Sequence, residues 1–392
     1  MKNAAMFIAI VLAFTAFTEA KAERATEVTS LRSTRCFPQE KPKSPEEQAK
    51  DAKIQTLKDK AKAESGKGDW QKCTEYLEQA LECKPDPRVS ADLAEDLIKA
   101  YDCLGRWDRS EIYHRHLAKM GQDPSTAGVL AWTVSNAHQQ LYLAAYCALK
   151  RGNYEQGIST LRSLIADKQK SKTEPVSSTE PAYSECFFLL ANAILDSSSK
   201  YQEALSLYDK CIKDEEKLNK NVALPFRSHN LYRSPELMVN LFICYSGTNQ
   251  QEKANELRKQ LKAELRAYLS STTRASRSAG EEALSILSKE SLTRADEVRL
   301  METIPLVNFT GAAKIGTSDH LLQRALVIRQ NAKETQKVAE DYAGLVKLYM
   351  SHFESKAAQP FCWQRMQELK KMNAPLSDQE RAKADWTKVS KS

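Results

Sequence analysis

An irregularly spaced array of antiparallel helix hairpins, an all-α solenoid, is the fold class this chain predicts, and three observations lead to it. Apolar residues recur at helical offsets of three and four over most of the 392 residues. Glycine is scarce, 12 residues in all, and no long stretch outside an N-terminal apolar run alternates with strand period. A two-helix pattern, broken by a short turn, returns several times along the chain.

The stretch Leu141 to Ile165, LYLAAYCALKRGNYEQGISTLRSLI, shows the unit most clearly. Its first half sets Leu141, Ala144, Ala145 and Ala148 on one helix face. Its second half sets Gly157, Ile158, Leu161, Leu164 and Ile165 on another, and Gly152 ends the first helix between them. Two helices approach closely only over small side chains, so Ala145 and Gly157 are the expected crossing point.

In chain order, residues 1–22 read as a secretory signal. Lys2 supplies a positive start, Ala4 to Phe17 is apolar but for one Thr, and Ala20-Lys21-Ala22 offers a small-residue cleavage site. The apolar run is shorter than the roughly 20 residues a spanning helix needs. Export is therefore expected, to a periplasmic or extracellular compartment. Residues 23–50 are polar, carry Pro38, Pro42 and Pro45, and read as a disordered linker. At its end Ser44-Pro45-Glu46-Glu47 has the form of a helix start.

Five hairpins are expected over 51–269, with the helix before each turn called A and the one after it B. Leu57 and Ala61 precede Gly68-Asp69-Trp70, and Cys73, Leu77, Ala80 and Pro85 follow it. Leu93, Leu97 and Tyr101 precede Gly105-Arg106-Trp107, and Ser110, His114 and Leu117 follow. The stretch at 141–165 is third. Phe188, Ala191 and Leu195 precede Lys200-Tyr201 in the fourth, and Met238, Phe242 and Tyr245 precede Asn249-Gln250-Gln251 in the fifth. Residues 270–320 are a degenerate segment, in which Glu281 to Ile304 reads as one helix and Asn308-Phe309-Thr310 is a formal glycosylation sequon. A last repeat is expected over 321–372, with a B-like helix around Leu322, Ala325 and Ile328 and an A-like one around Val338, Tyr342 and Leu345. Residues 373–392 read as a polar tail with a short capping helix.

These residues resemble the tetratricopeptide repeat family. Gly68-Asp69-Trp70 with Cys73, Leu77, Ala80 and Pro85 matches its turn and second helix, as does Gly152-Asn153-Tyr154 with Gly157, Leu161 and Leu164. ALVIRQ followed by KVAEDYAGLVKLY is similar to a longer repeat variant seen in kinesin light chains. Successive turns stand 37, 47, 47 and 50 residues apart, against about 34 in the family. The excess lies in polar inserts such as Lys168 to Pro181 and Lys213 to Pro235.

The resemblance implies a non-catalytic scaffold that binds a protein or peptide partner in a concave groove lined by A helices. Mapped onto this chain, the groove is charged at its N-terminal end, with Lys58, Lys62, Glu95, Lys99 and Asp102, and more apolar beyond. There Tyr142, Tyr146, Lys150, Leu189, Val239 and Ile243 are the partner-binding positions, with Ala193 also facing the groove. The clamp by which some members hold a C-terminal carboxylate is not reproduced, because Lys62 stands where asparagine belongs.

The net charge is +7, and loss of Lys2, Lys21 and Glu19 with residues 1–22 leaves +6. The charge is spread along the chain as on solvated helix faces. Nucleic acid is not an expected partner of an exported chain. Peripheral association with anionic envelope lipid or polymer through basic helices is the alternative function. The nine cysteines include no CxxC pair and read chiefly as small apolar side chains at helix seams, with bridges from Cys73 or Cys83 to Cys103 left open. His114 and His116 lie two apart and face different ways. Neither HExxH, a zinc-like cysteine cluster, G-x-S-x-G nor a phosphate-cradling glycine loop occurs. No enzyme activity, cofactor or metal site is expected.

Overall fold

The computed structural model describes residues 43–130, 134–171, 181–220, 235–271, 277–306, 318–352 and 358–390. It divides into two units, Met1–Asp51 and Ala52–Ser392. In the first, Ser44 Oγ accepts from the Glu47 N–H (3.2 Å) and the Glu47 carboxylate accepts from the Ser44 N–H (2.8 Å). This is the reciprocal capping box that the sequence announces there. Residues 45–50 are thus helix rather than linker, while the signal segment and the linker up to residue 42 lie outside the described residues.

In chain order the helices are α1 (Pro45–Gly66), α2 (Trp70–Glu82), α3 (Pro87–Cys103), α4 (Trp107–Gln122), α5 (Pro124–Leu130), α6 (Val134–Lys150), α7 (Tyr154–Ser171), α8 (Tyr183–Ser198) and α9 (Tyr201–Lys220). There follow α10 (Pro235–Gly247), α11 (Gln251–Ser271), α12 (Arg277–Ile286), α13 (Arg294–Thr303), a 3-10 turn (Ile304–Leu306), α14 (Ser318–Asn331), α15 (Thr335–His352), α16 (Gln359–Lys371) and α17 (Leu376–Ser390). No strand occurs among the described residues, and consecutive helices pack on one another in a solenoid-like series.

One turn geometry recurs. After α6, the Gly152 N–H reaches back to the Leu149 carbonyl and the Asn153 N–H to Ala148, both at 2.9 Å. That pair of bonds closes a helix when the residue after it turns left-handed, and Gly152 has φ 77°. The same pair closes α1 at Gly68, α3 at Gly105, α10 at Asn249, α14 at Lys333 and α16 at Asn373. The Lys333 turn corrects the order expected in the last repeats: Leu322, Ala325 and Ile328 lie on the first helix of a hairpin, α14, and Val338 to Leu345 on its second, α15. Residues 376–390 are a full helix, α17, with Val389 buried and Trp386 against Trp363.

The expected crossing of α6 and α7 is present. A Cβ on Gly157 would stand 2.5 Å from Leu149 Cδ2 and 3.3 Å from the Ala145 carbonyl oxygen. Between hairpins five and six the pattern does fail, but not as one helix over 281–304. One helix ends at Ile286 and the next begins after Thr293, whose hydroxyl accepts from the Asp296 N–H (3.2 Å) while Asp296 accepts from the Thr293 N–H (3.0 Å). Asn308-Phe309-Thr310 lies outside the described residues.

Beyond α12 and α13, within the unit Ala52–Ser392, the chain packs back on earlier helices. In a linear solenoid each repeat touches only its neighbours, yet α14 packs on α6 and α10, and α16 packs on α3. Asn331 lies against the Gly152 turn, Gln364 covers the Gly105 turn and donates to the Leu104 carbonyl, and Trp363 joins the apolar cluster of α1 to α3. The central core runs from Ala145 through α8 to α13 to Ala325. All eight cysteines among the described residues are free thiols, and Cys73, Cys147, Cys186, Cys211, Cys244 and Cys362 are buried.

Candidate functional site

Side chains three and four positions apart on a helix share a face. Tyr142, Tyr146 and Lys150 therefore form one stripe on α6, Glu185, Leu189, Asn192, Ala193 and Asp196 another on α8, and His320, Gln323, Arg324 and Val327 a third on α14. These stripes, with Tyr154 at the start of α7 and Glu236 in the first turn of α10, enclose a cavity of about 320 Å³.

The floor of the cavity is a polar network. Arg324 Nε and Nη2 donate to the two Asp196 carboxylate oxygens, each at 2.8 Å. Its Nη1 donates to Glu236 Oε1 (3.1 Å) and Asn240 Oδ1 (2.9 Å). Asn192 Nδ2 donates to Glu236 Oε1 (3.1 Å), and Asn192 Oδ1 accepts from the Tyr208 hydroxyl (2.6 Å) and from Asn240 Nδ2 (3.0 Å). The side chains of Arg324, Asp196 and Glu236 are 13%, 4% and 1% exposed. Burial alone would lower the Arg324 guanidinium, but Asp196 and then Glu236 more than reverse this and hold it above its ordinary value.

The walls are aromatic. Tyr142, Tyr146, Phe188 and Tyr154 present rings, with Leu149, Leu189 and Val327 between them. Burial, and after it the Glu185 carboxylate, pushes the Tyr142 phenol well above its usual range. The Lys150 ammonium lies over the Trp107 ring at 4.1 Å and the Tyr146 ring at 4.6 Å. At the mouth, His320 Nδ1 stands 3.6 Å from Glu236 Oε2 and its ring tilts over Tyr146. The arrangement can hold a ligand by ring faces and charge. The His114 imidazole lies elsewhere, buried, with its Nδ1 2.7 Å from Gln140 Oε1.

Of the partner-binding positions read from the sequence, Tyr142, Tyr146, Lys150 and Leu189 border this one cavity, and so does Ala193. Val239 and Ile243 do not. They are 0% and 1% exposed within the central core, because α10 is apolar on nearly every side and α9, α11 and α14 pack around it. Lys58, Lys62, Glu95, Lys99 and Asp102 lie on α1 and α3 and do not line the cavity. The groove is also not an open channel, since α14 lies across it. Asn192, Asp196, Glu236 and Arg324 are not among the positions expected from the sequence. Their one signal was that polar residues stand at core phases of apolar helices, as Asn192 does in FFLLANAILD.

No protein-family model matches the chain, and no curated protein shows significant sequence similarity to it.

Proposed function

We propose that the chain is an exported, non-catalytic helical scaffold that holds a protein partner at the cavity between α6, α8 and α14. The observation that carries this reading is the convergence of Tyr142, Tyr146, Lys150 and Leu189, the positions that the family resemblance maps to the groove, onto one aromatic-walled cavity. Tyrosine suits a partner site because it is large, rigid and polar at its tip. The core shared by successive hairpins leaves long helix faces for contact, and the resemblance to tetratricopeptide repeats points to the same use. The apolar run at residues 4–17 and the small residues at 20–22 support export.

A photocrosslinking residue placed at Tyr146, with a second placed at Lys259 on an exposed face of α11, tests the reading in the native compartment. A protein captured reproducibly from position 146 and not from 259, and lost on Tyr142→Ala, is expected. Equal capture from both positions counts against the cavity.

A second reading, peripheral binding to anionic lipid or polymer, has one observation behind it. Arg258, Lys262 and Arg266 stand four apart on α11, and burial together with its two cationic neighbours lowers the Lys262 ammonium. Such binding would collapse between low and moderate salt, whereas cavity binding would not.

A further inference from the structure

The cavity lining is unbalanced in charge. Three carboxylates, Glu185, Asp196 and Glu236, face two permanent cations, Lys150 and Arg324. Both cations are already engaged. Arg324 is held by Asp196, Glu236 and Asn240, and Lys150 is sandwiched on Trp107 and Tyr146. Asp196 gives both its oxygens to Arg324. Glu236 gives Oε1 to Arg324 and Asn192, and its Oε2 stands 3.6 Å from His320 Nδ1, beyond a hydrogen bond. Glu185 spends Oε2 on the Ala182 N–H that opens α8 (2.6 Å). The surplus negative charge therefore rests on the Glu185 and Glu236 side.

The ring at that side senses it. After burial, the charges acting on the Tyr142 phenol include Glu185 and Glu236, and both push it up. Aromatic faces add to the attraction for a cation, and the rings of Tyr142, Tyr146 and Phe188 line the cavity, Tyr146 already carrying Lys150 on one face. At about 320 Å³ the cavity stands at the small end of organic ligand sites, so it takes a side chain rather than a helix. A charged head on an apolar stem fits a wall that is acidic at one side and apolar elsewhere.

We infer that the cavity receives a lysine or arginine side chain of the partner, its stem along Tyr142, Tyr146 and Leu189 and its charged head toward Glu185 and Glu236. This rests on the protein-binding reading and names what the partner must present.

Fluorescence anisotropy on the full chain tests it with labelled ten-residue Gly-Ser peptides carrying a central Leu-Lys-Leu, Leu-Arg-Leu or Leu-Gln-Leu. The basic peptides should bind about tenfold tighter than the Gln peptide. Glu185→Gln, whose amide oxygen still accepts from Ala182, should erase most of that difference while leaving the unfolding midpoint unchanged. Tyr146→Leu should weaken the basic peptides and not the Gln peptide. Equal affinity for Lys and Gln peptides, or full discrimination retained in Glu185→Gln, overturns the inference. So does butylammonium that competes as strongly as the Lys peptide binds, since a small amine would then be the ligand. A partner crosslinked at position 146 that binds Glu185→Gln unchanged leaves the scaffold reading standing and removes this one.

Discussion

Arg324 is the residue on which most of the cavity depends. It pairs with carboxylates 128 and 88 positions away, and their side chains have almost no access to water. Truncation leaves both acids buried without a cation, which costs about 3–5 kcal/mol. Arg324→Ala should lower the urea stability by that amount, and Arg324→Lys by less, because an ammonium keeps the charge but loses the two parallel bonds to Asp196. Asp341 on α15 is the opposite case. It is 5% exposed, its Oδ2 finds no hydrogen-bond partner among the described residues, and burial followed by the nearby Glu302 charge raises its carboxyl to about 8. The unfolded chain releases that proton near about 3.9. The folded chain binds it more tightly, so the stabilisation is complete below that value, declines as pH rises, and is lost above about 8. Asp341→Asn should therefore raise the urea midpoint at pH 9, with a gain that shrinks steadily as the pH is lowered toward 4. Neither residue announces its role locally: an arginine and an aspartate on amphipathic helices look like solvated charges until their neighbours are known.

At the scale of elements, the hairpins were largely legible. Gly68, Gly105 and Gly152 mark left-handed turns with φ of 77°, 62° and 77°, and a residue without Cβ is what such a turn favours. Lys333 and Asn373 occupy the same conformation without glycine, at a cost of about 1–2 kcal/mol for the lysine and less for the asparagine. No glycine therefore marks the turns after α14 and α16. The small seam of α6 and α7 gives a direct test. Gly157→Val places methyl groups where Leu149 and the Ala145 backbone already stand, and should destabilise by about 1–3 kcal/mol in urea unfolding. The break at 287–293 was invisible for a different reason. Leu284, Leu287 and Leu292 keep a helical rhythm through it, while the restart depends on the Thr293 and Asp296 cap. Thr293→Ala should cost about 1 kcal/mol, read from the same unfolding curves.

On the largest scale, within Ala52–Ser392, α14 packs back on α6 and α10 and α16 on α3. In an open solenoid, removing the last repeat leaves the first untouched. Here Gln364 and Trp363 sit on the α1 to α3 hairpins. Deletion of residues 358–392 should lower hydrogen-exchange protection in α3, around Leu93 to Leu104, and unchanged protection there would contradict the closure. The same closure explains the site. The family resemblance maps Tyr142, Tyr146, Lys150 and Leu189 to positions that do border the cavity, whereas it cannot tell that α10 is covered on the side of Val239 and Ile243, because α10 is apolar on nearly every face. The sequence by itself determined the helices, their turns and the crossing of α6 on α7, since periodicity, capping and small seams act within a few residues. Only the tertiary structure decided that α14 lies over α6, α8 and α10 and brings Arg324 to Asp196 and Glu236. The energy of a buried charge depends on partners that may stand anywhere in the chain, and no local pattern encodes which ones they are.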